Sequence, residues 1–209
     1  MVQTAAHFEE LGGNARKGFL VGGISAGANF TSIVSHLYRD DKLSPPLSGV
    51  YLSIPPCMVK ELVPEKYKAL FLSREQDLGT RVLSKEIMRL FARKSSLNSN
   101  PERIFTNDIN LPGSYNSDQM SPLAHPMAFE SHAGLPPTYF QICGKDPLRD
   151  EGLIYEEILR EENGIPTLVD IYPGLPHGFW AIWPEANFSK KLHEDSVKGI
   201  KWLLVQSKI

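Results

Sequence analysis

Three residues of this 209-residue sequence have the types and the chain order that nucleophilic catalysis needs: Ser25, Asp146 and His177. Ser25 stands in Gly23-Ile24-Ser25-Ala26-Gly27, between the apolar run "GFLVGG" and a helix-like pattern. A serine hydroxyl is a weak nucleophile until a neighbouring base takes its proton. A strand–Gly-x-Ser-x-Gly–helix turn sets such a serine at a sharp corner beyond the strand's carboxyl end. Gly23 and Gly27 are expected there because side chains would collide as strand and helix pack. The new helix aims its N-terminus at the reacting centre, so the Ala26 N–H can donate to a developing oxyanion.

In this arrangement an acid and then a histidine must follow, each on a loop after a later strand. "QICGKDPLRD" ends a strand-like run and offers Asp146; "DIYPGLPHGFW" ends the last such run and offers His177, flanked by Gly178 and aromatics. One helix and one strand separate them, so both reach the same rim of the sheet as Ser25, where open α/β folds place their sites. Asp146 can also cap the helix that follows it. Ile24, Leu175 and Phe179 are the candidate substrate contacts. Phe179, Trp180 and Trp183 divide between an acyl pocket and the core. His7, His36, His125, His132 and His193 join no constellation, and surface or packing roles are expected of them.

The elements that must position these groups read as an alternation. "TAAHFEELGGNARK" is the tail of a helix stopped by Gly12-Gly13. "GFLVGG" is a short strand buried on both faces. Phe30, Ile33, Val34 and Leu37 recur at helical spacing, and "LSGVYLSIPP" gives a second buried strand. From Pro56 to about Pro126 no strand is convincing. There "TRVLSKEIMRLFARK" aligns Leu83, Ile87, Leu90 and Phe91 on one face, and a long polar stretch reads as an inserted lid or cap. Then "PPTYFQICG" is a strand, "DEGLIYEEILREEN" a helix with Gly164 after it, "PTLVDIYPG" a strand and "SKKLHEDSVKGIKWLLVQ" an amphipathic helix. Helices alternating with buried strands argue for a mostly parallel sheet in a single α/β domain over 1–209, with the cap at 56–126.

Composition narrows the class. A net charge of −2 and a pI near 6.3 give no electrostatic case for nucleic acid or an anionic membrane. No apolar run could span a bilayer, and the first residues lack the pattern of a signal peptide. Cys57 and Cys143 stand in apolar settings and are expected as buried thiols of a reducing compartment, the cytoplasm. No cysteine or histidine spacing suits a metal.

The blocks "GGISAGAN", "SPLAHP", "PPTYFQICGKDPLRDEG" and "LPHGFW" resemble the hormone-sensitive-lipase-like branch of the α/β-hydrolases, especially its fungal esterases, over nearly the whole chain. The resemblance implies a partial α/β-hydrolase fold with Ser25 as nucleophile, His177 as general base and acid, and Asp146 orienting the imidazole. Asp150 and Glu151 are then expected to pair with cations or cap the helix. Two residues depart from the family pattern: Ile24, where Asp is frequent, makes the pocket more apolar, and Ala28 replaces a second glycine. The family also carries an "HGGG"-type loop upstream of the nucleophile, and Gly12-Gly13 lies in the wrong place to supply it. The Ala26 N–H is therefore expected to act alone. "GFLVGG" is expected as an unprotected edge strand through which the chain pairs with a copy of itself or another chain. The implied activity is hydrolysis of small-molecule esters with short to medium, mainly apolar acyl groups, without metal or organic cofactor. Two other readings stay open: binding of a ligand or partner without useful hydrolysis, and a non-hydrolytic step such as a cyclisation.

Overall fold

A computed structural model describes residues 2–76, 82–84, 87 and 120–206. Its sheet has four parallel strands in chain order: β1 (Leu20–Ile24), β2 (Gly49–Ser53), β3 (Thr138–Cys143) and β4 (Thr167–Tyr172). Ile24 pairs with Ser53, Ser53 with Gln141 and Gln141 with Asp170, so the carboxyl ends of all four strands lie on one rim. The helices are α1 (Val2–Ala6), α2 (Ala26–Asp40), α3 (Arg149–Glu157, continuing as a π-helical turn over Ile158–Glu162), α4 (Phe179–Ile182) and α5 (Asn187–Gln206). No described helix is long and apolar enough to cross a membrane.

Parallel neighbours joined by right-handed crossovers must carry their helices on one face of the sheet. α2 and α3 accordingly share a face, linked by the hydroxyls of Ser32 and Tyr155 at 2.9 Å. Between them and the sheet lies the main core, with Ala28, Val50, Leu52, Phe140, Ile142, Ile154 and Ile158. α5 covers the other face. There Gly199 is required, because a Cβ would lie 2.1 Å from the Tyr139 ring. Gln141 donates to the Leu192 carbonyl at 3.1 Å, fastening the helix to the middle of β3.

The expected alternation of strands and helices is present, with three differences in detail. α1 ends at Ala6 and passes through turns before Gly12. β1 is only half-buried, with Ile24 50% exposed, because it is the outermost described strand and is paired on one side only. The apolar set expected to bury along α2 also splits: Ile33 is buried, whereas Phe30 is 65% and Leu37 40% exposed. The buried face is instead largely polar, with Thr31, Ser32, Ser35, His36 and Tyr38.

Those polar groups are satisfied internally, which makes their burial affordable. Ser35 Oγ donates to the Ser32 carbonyl at 2.7 Å and Tyr38 Oη to the Pro45 carbonyl at 2.8 Å. His36 Nδ1 lies 2.8 Å from the Ser32 carbonyl, which can only accept, so Nδ1 carries the proton. His36 Nε2 then accepts from His132 Nδ1 at 2.9 Å. Phe129 stacks on His36 at 4.1 Å between ring centroids, and Arg39 Nη1 donates to the carbonyls of Ser131 and Ala133. The 129–133 loop, leading into β3, is thereby latched onto α2. Burial pushes both histidines from 6.5 down to about 4. The cap helix expected at "TRVLSKEIMRLFARK" and the polar stretch after it lie largely outside the described residues.

Candidate active site

Ser25 caps α2 at φ 54°, ψ −121°, a left-handed conformation that a side chain adopts only under constraint. The constraint is visible on both sides of the residue. Its N–H donates to the Ser53 carbonyl at 2.8 Å, prolonging the β1–β2 ladder, while its own carbonyl already accepts from Ala28 and Asn29 in the first turn of α2. Gly23 permits the reversal: a Cβ there would stand 2.2 Å from the Gly27 carbonyl oxygen. Gly27 differs from its expected role, since a Cβ there meets no described atom within 4 Å. Its carbonyl packs against Gly23, while its own side-chain position faces open space.

The corner brings the three separated residues together. Ser25 Oγ lies 3.0 Å from His177 Nε2, and His177 Nδ1 lies 2.6 Å from Asp146 Oδ2. A carboxylate can only accept, so Nδ1 is the protonated nitrogen and Nε2 keeps a lone pair facing the hydroxyl. Asp146 is 1% and His177 6% exposed. The other Asp146 oxygen accepts the Leu148 N–H at 2.9 Å, a turn two residues long; the N-cap of α3 is Leu148, not Asp146. The loops after β3 and β4 are tied by Gly144 N–H to the Tyr172 carbonyl and Lys145 N–H to the Leu175 carbonyl, at 2.9 and 3.0 Å. Burial, with the Asp146 charge adding, holds the nearby Cys143 thiol far above its usual range. Both cysteines are buried and unbridged.

The other candidate site residues are placed less uniformly. Ala26, the first residue of α2, is exposed at the corner, where helix N–H groups have no intrahelical acceptor. Ile24 is exposed beside Ser25. Leu175 is half-buried and packs with Trp180 against the cluster of Ile54, Cys143, Tyr172, Phe179 and Leu192. Phe179 has no exposed surface; its ring meets those of Tyr172, Trp180 and Phe188, so it backs the His177 loop.

Sequence reading passed over Asn29, Ile54 and Ser53, and of Asp150 and Glu151 it expected the cation pairs but not the backbone N–H groups that they also hold. Asn29 donates from Nδ2 to the carbonyls of Pro56 at 2.8 Å and Ala124 at 3.0 Å. Asp150 accepts the N–H groups of Leu72 and Ser73, and Glu151 those of Cys57 and Met58, in addition to their ion pairs with Arg149 and Arg74. Burial raises the Glu151 carboxyl above its ordinary range, with Arg74 opposing. Ile54, at φ 47°, bends the chain beyond β2, and Ser53 Oγ is buried with no hydrogen-bond partner among the described residues. Position in "GGISAGAN" was the available signal for Asn29; no pattern marks Ile54 or Ser53.

A family described by the alpha/beta hydrolase fold matches residues 1–181. The chain belongs to the α/β-hydrolase family. This hydrolase-fold chain is 37% identical over 202 residues to an AB hydrolase superfamily protein of Schizosaccharomyces pombe, covering 96% of itself and 53% of that relative. It is 33% identical over 206 residues to the versiconal hemiacetal acetate esterase of Dothistroma septosporum, covering 98% of itself and 56% of the esterase. Among solved structures, vibralactone cyclase superposes with a TM-score of 0.82 at 33% identity, over 99% of this chain and 55% of the cyclase. The chain thus spans about half the length of the curated relatives it matches. The hormone-sensitive-lipase-like esterase branch expected from the sequence is the family found.

Proposed function

We propose that this chain is a serine hydrolase of carboxylic esters. The observation that carries the reading is the hydrogen-bonded run from Ser25 Oγ through His177 to Asp146, at 3.0 and 2.6 Å. Ser25 Oγ attacks the ester carbonyl carbon as His177 Nε2 takes its proton, and the Ala26 N–H donates to the oxyanion of the tetrahedral intermediate. Collapse breaks the bond to the alcohol, which leaves with the proton from Nε2. Water then adds to the acyl-enzyme, again giving its proton to His177, and the second collapse releases the acid and restores Ser25. Asp146 holds the ring in its Nδ1–H tautomer throughout. An exposed Ile24 beside the nucleophile suits apolar acyl groups of short to medium length.

Hydrolysis of a short-chain p-nitrophenyl ester by the chain and by Ser25→Ala tests the reading. Activity that vanishes in the variant is expected. Equal near-background rates would overturn it and leave a binding role for the pocket. A second reading, cyclisation, is favoured by the likeness to vibralactone cyclase: an internal nucleophile of the acyl group would replace water in the second half-reaction. Products formed in ¹⁸O-water separate the two, because only hydrolysis places the label in the released acid. The half-exposed β1, with apolar Ile24 on it and Phe30 and Leu37 on the neighbouring helix, also supports pairing with a second copy along this edge.

A further inference from the structure

Two residues, each about one helical turn downstream of a reacting group, grip the same stretch of chain from opposite sides. Asn29 follows Ser25 by four positions on α2 and holds the Pro56 carbonyl; Glu151 follows Asp146 by five on α3 and holds the Cys57 and Met58 N–H groups at 3.0 and 3.1 Å. Helical side chains lean toward the helix N-terminus, so the Asn29 amide lies near the level of the Ser25 corner. The second amide hydrogen of Asn29 takes the Ala124 carbonyl, and Met127 N–H donates to the Cys57 carbonyl at 3.3 Å, so the returning chain joins the same node. Glu151 is itself fixed by Arg74 at 2.6 Å.

We propose that Asn29 and Glu151 are positioning residues that brace the nucleophile helix against the acid helix through Pro56–Met58. The inference rests on the ester-hydrolase reading of Ser25. α2 carries the nucleophile and α3 follows the loop that holds Asp146, and through it His177. A change in their separation alters the approach of Ser25 Oγ to His177 Nε2 without touching the bound substrate. Misplacements of about 1 Å in such geometry cost about a hundredfold in rate.

Asn29→Ala, Asn29→Asp and Asn29→Ser test the brace by two readouts. In ester hydrolysis, Asn29→Ala is expected to lower kcat about tenfold with KM within about twofold. Asn29→Asp has the same shape but no N–H donors and is expected to fall below the alanine variant, because a carboxylate then faces two carbonyl oxygens. Asn29→Ser keeps one donor and should recover part of the loss. In amide hydrogen exchange, which needs no catalysis, Cys57, Met58 and Met127 are expected to exchange at least about tenfold faster in the alanine and aspartate variants. Unchanged exchange at these amides overturns the brace, as does a loss confined to KM or an aspartate variant as active as the parent. A parent chain no faster than Ser25→Ala overturns the hydrolase reading instead, and the exchange result still decides the brace.

Discussion

Acid should unlatch the 129–133 loop from α2. The native N–H···N bond between His132 and His36 exists only while His36 Nε2 is unprotonated, and a proton there sets two donors face to face. Arg39, which faces both rings, adds like charge, and Asp40 near His36 and Glu162 near His132 oppose it only in part. The folded pKa, about 4, lies below the unfolded value of 6.5, so the unfolded chain binds the extra proton. Stability is therefore whole above pH 6.5 and is lost progressively as pH falls toward 4. For one ring the loss is about 2 kcal/mol at pH 5 and about 3 kcal/mol at pH 4. One ring sets the lower bound, because the unfolded chain takes a proton on each and the second adds to the loss. With a urea dependence of about 2 kcal/mol per molar, the pH 5 loss moves the midpoint by about 1 M. The assay compares urea midpoints at pH 7.5 and 5.0 for the parent and for His36→Phe combined with His132→Leu. Ser35 Oγ continues to satisfy the Ser32 carbonyl in the variant. The parent's midpoint should fall at least about 1 M further than the variant's. Equal acid shifts in the two proteins would refute the reasoning.

Four substitutions in and around the site test its geometry. Gly23→Ala should abolish most ester hydrolysis, since its Cβ would stand 2.2 Å from the Gly27 oxygen, while Gly27→Ala, with open space around it, should cost far less; steady-state rates of the pair show whether the order holds. Asp146→Asn can donate to His177 Nδ1 and so favours the wrong tautomer, which should lower kcat by about 10³- to 10⁴-fold at unchanged thermal stability of the sheet. Ser53→Ala removes a buried hydroxyl that has no partner among the described residues and should raise stability by about 1 kcal/mol, read as a later urea midpoint; an earlier midpoint would mean the hydroxyl is satisfied.

The sequence made the strands and the reacting residues legible for one physical reason: both are specified locally. A short, largely apolar run bounded by turn residues marks a strand, and a nucleophile corner must place glycine where strand and helix collide, so "GFLVGGIS" and "TYFQICGKD" announce themselves. The order Ser25, Asp146, His177 then needed only the rule that parallel strands end on one rim. The buried face of α2 was illegible because its polar residues are satisfied by partners far along the chain: His36 by His132 and Ser32 by Tyr155. Apolar periodicity pointed to Phe30 and Leu37, which are exposed. Phe179 shows the complementary limit. An aromatic two residues after the histidine suits a pocket or a core equally, and only the rings of Tyr172 and Phe188 around it assign it to the core.

The position of Ser25 at the end of the outermost described strand links association to rate. Among the described residues β1 is held by one ladder, to β2, and the strained Ser25 backbone joins that ladder through its bond to the Ser53 carbonyl. An edge strand opens locally more readily than a central one, because half its backbone groups gain nothing from being closed. Pairing of two copies along β1 would supply the second ladder and cover the apolar Ile24. By linkage, whatever binds the ordered form of this strand raises its population. The proposed self-association therefore predicts an ester-hydrolysis rate per chain that falls as the protein is diluted, at the concentration where sedimentation shows copies separating. Gly22→Glu, at an exposed position of β1 where the Tyr51 side chain must give by a few tenths of an ångström to a Cβ at 3.1 Å, should shift that concentration upward, since like charges then meet across the edge. A rate per chain that stays constant through the dissociation range would show that the single ladder already holds Ser25 in its working conformation.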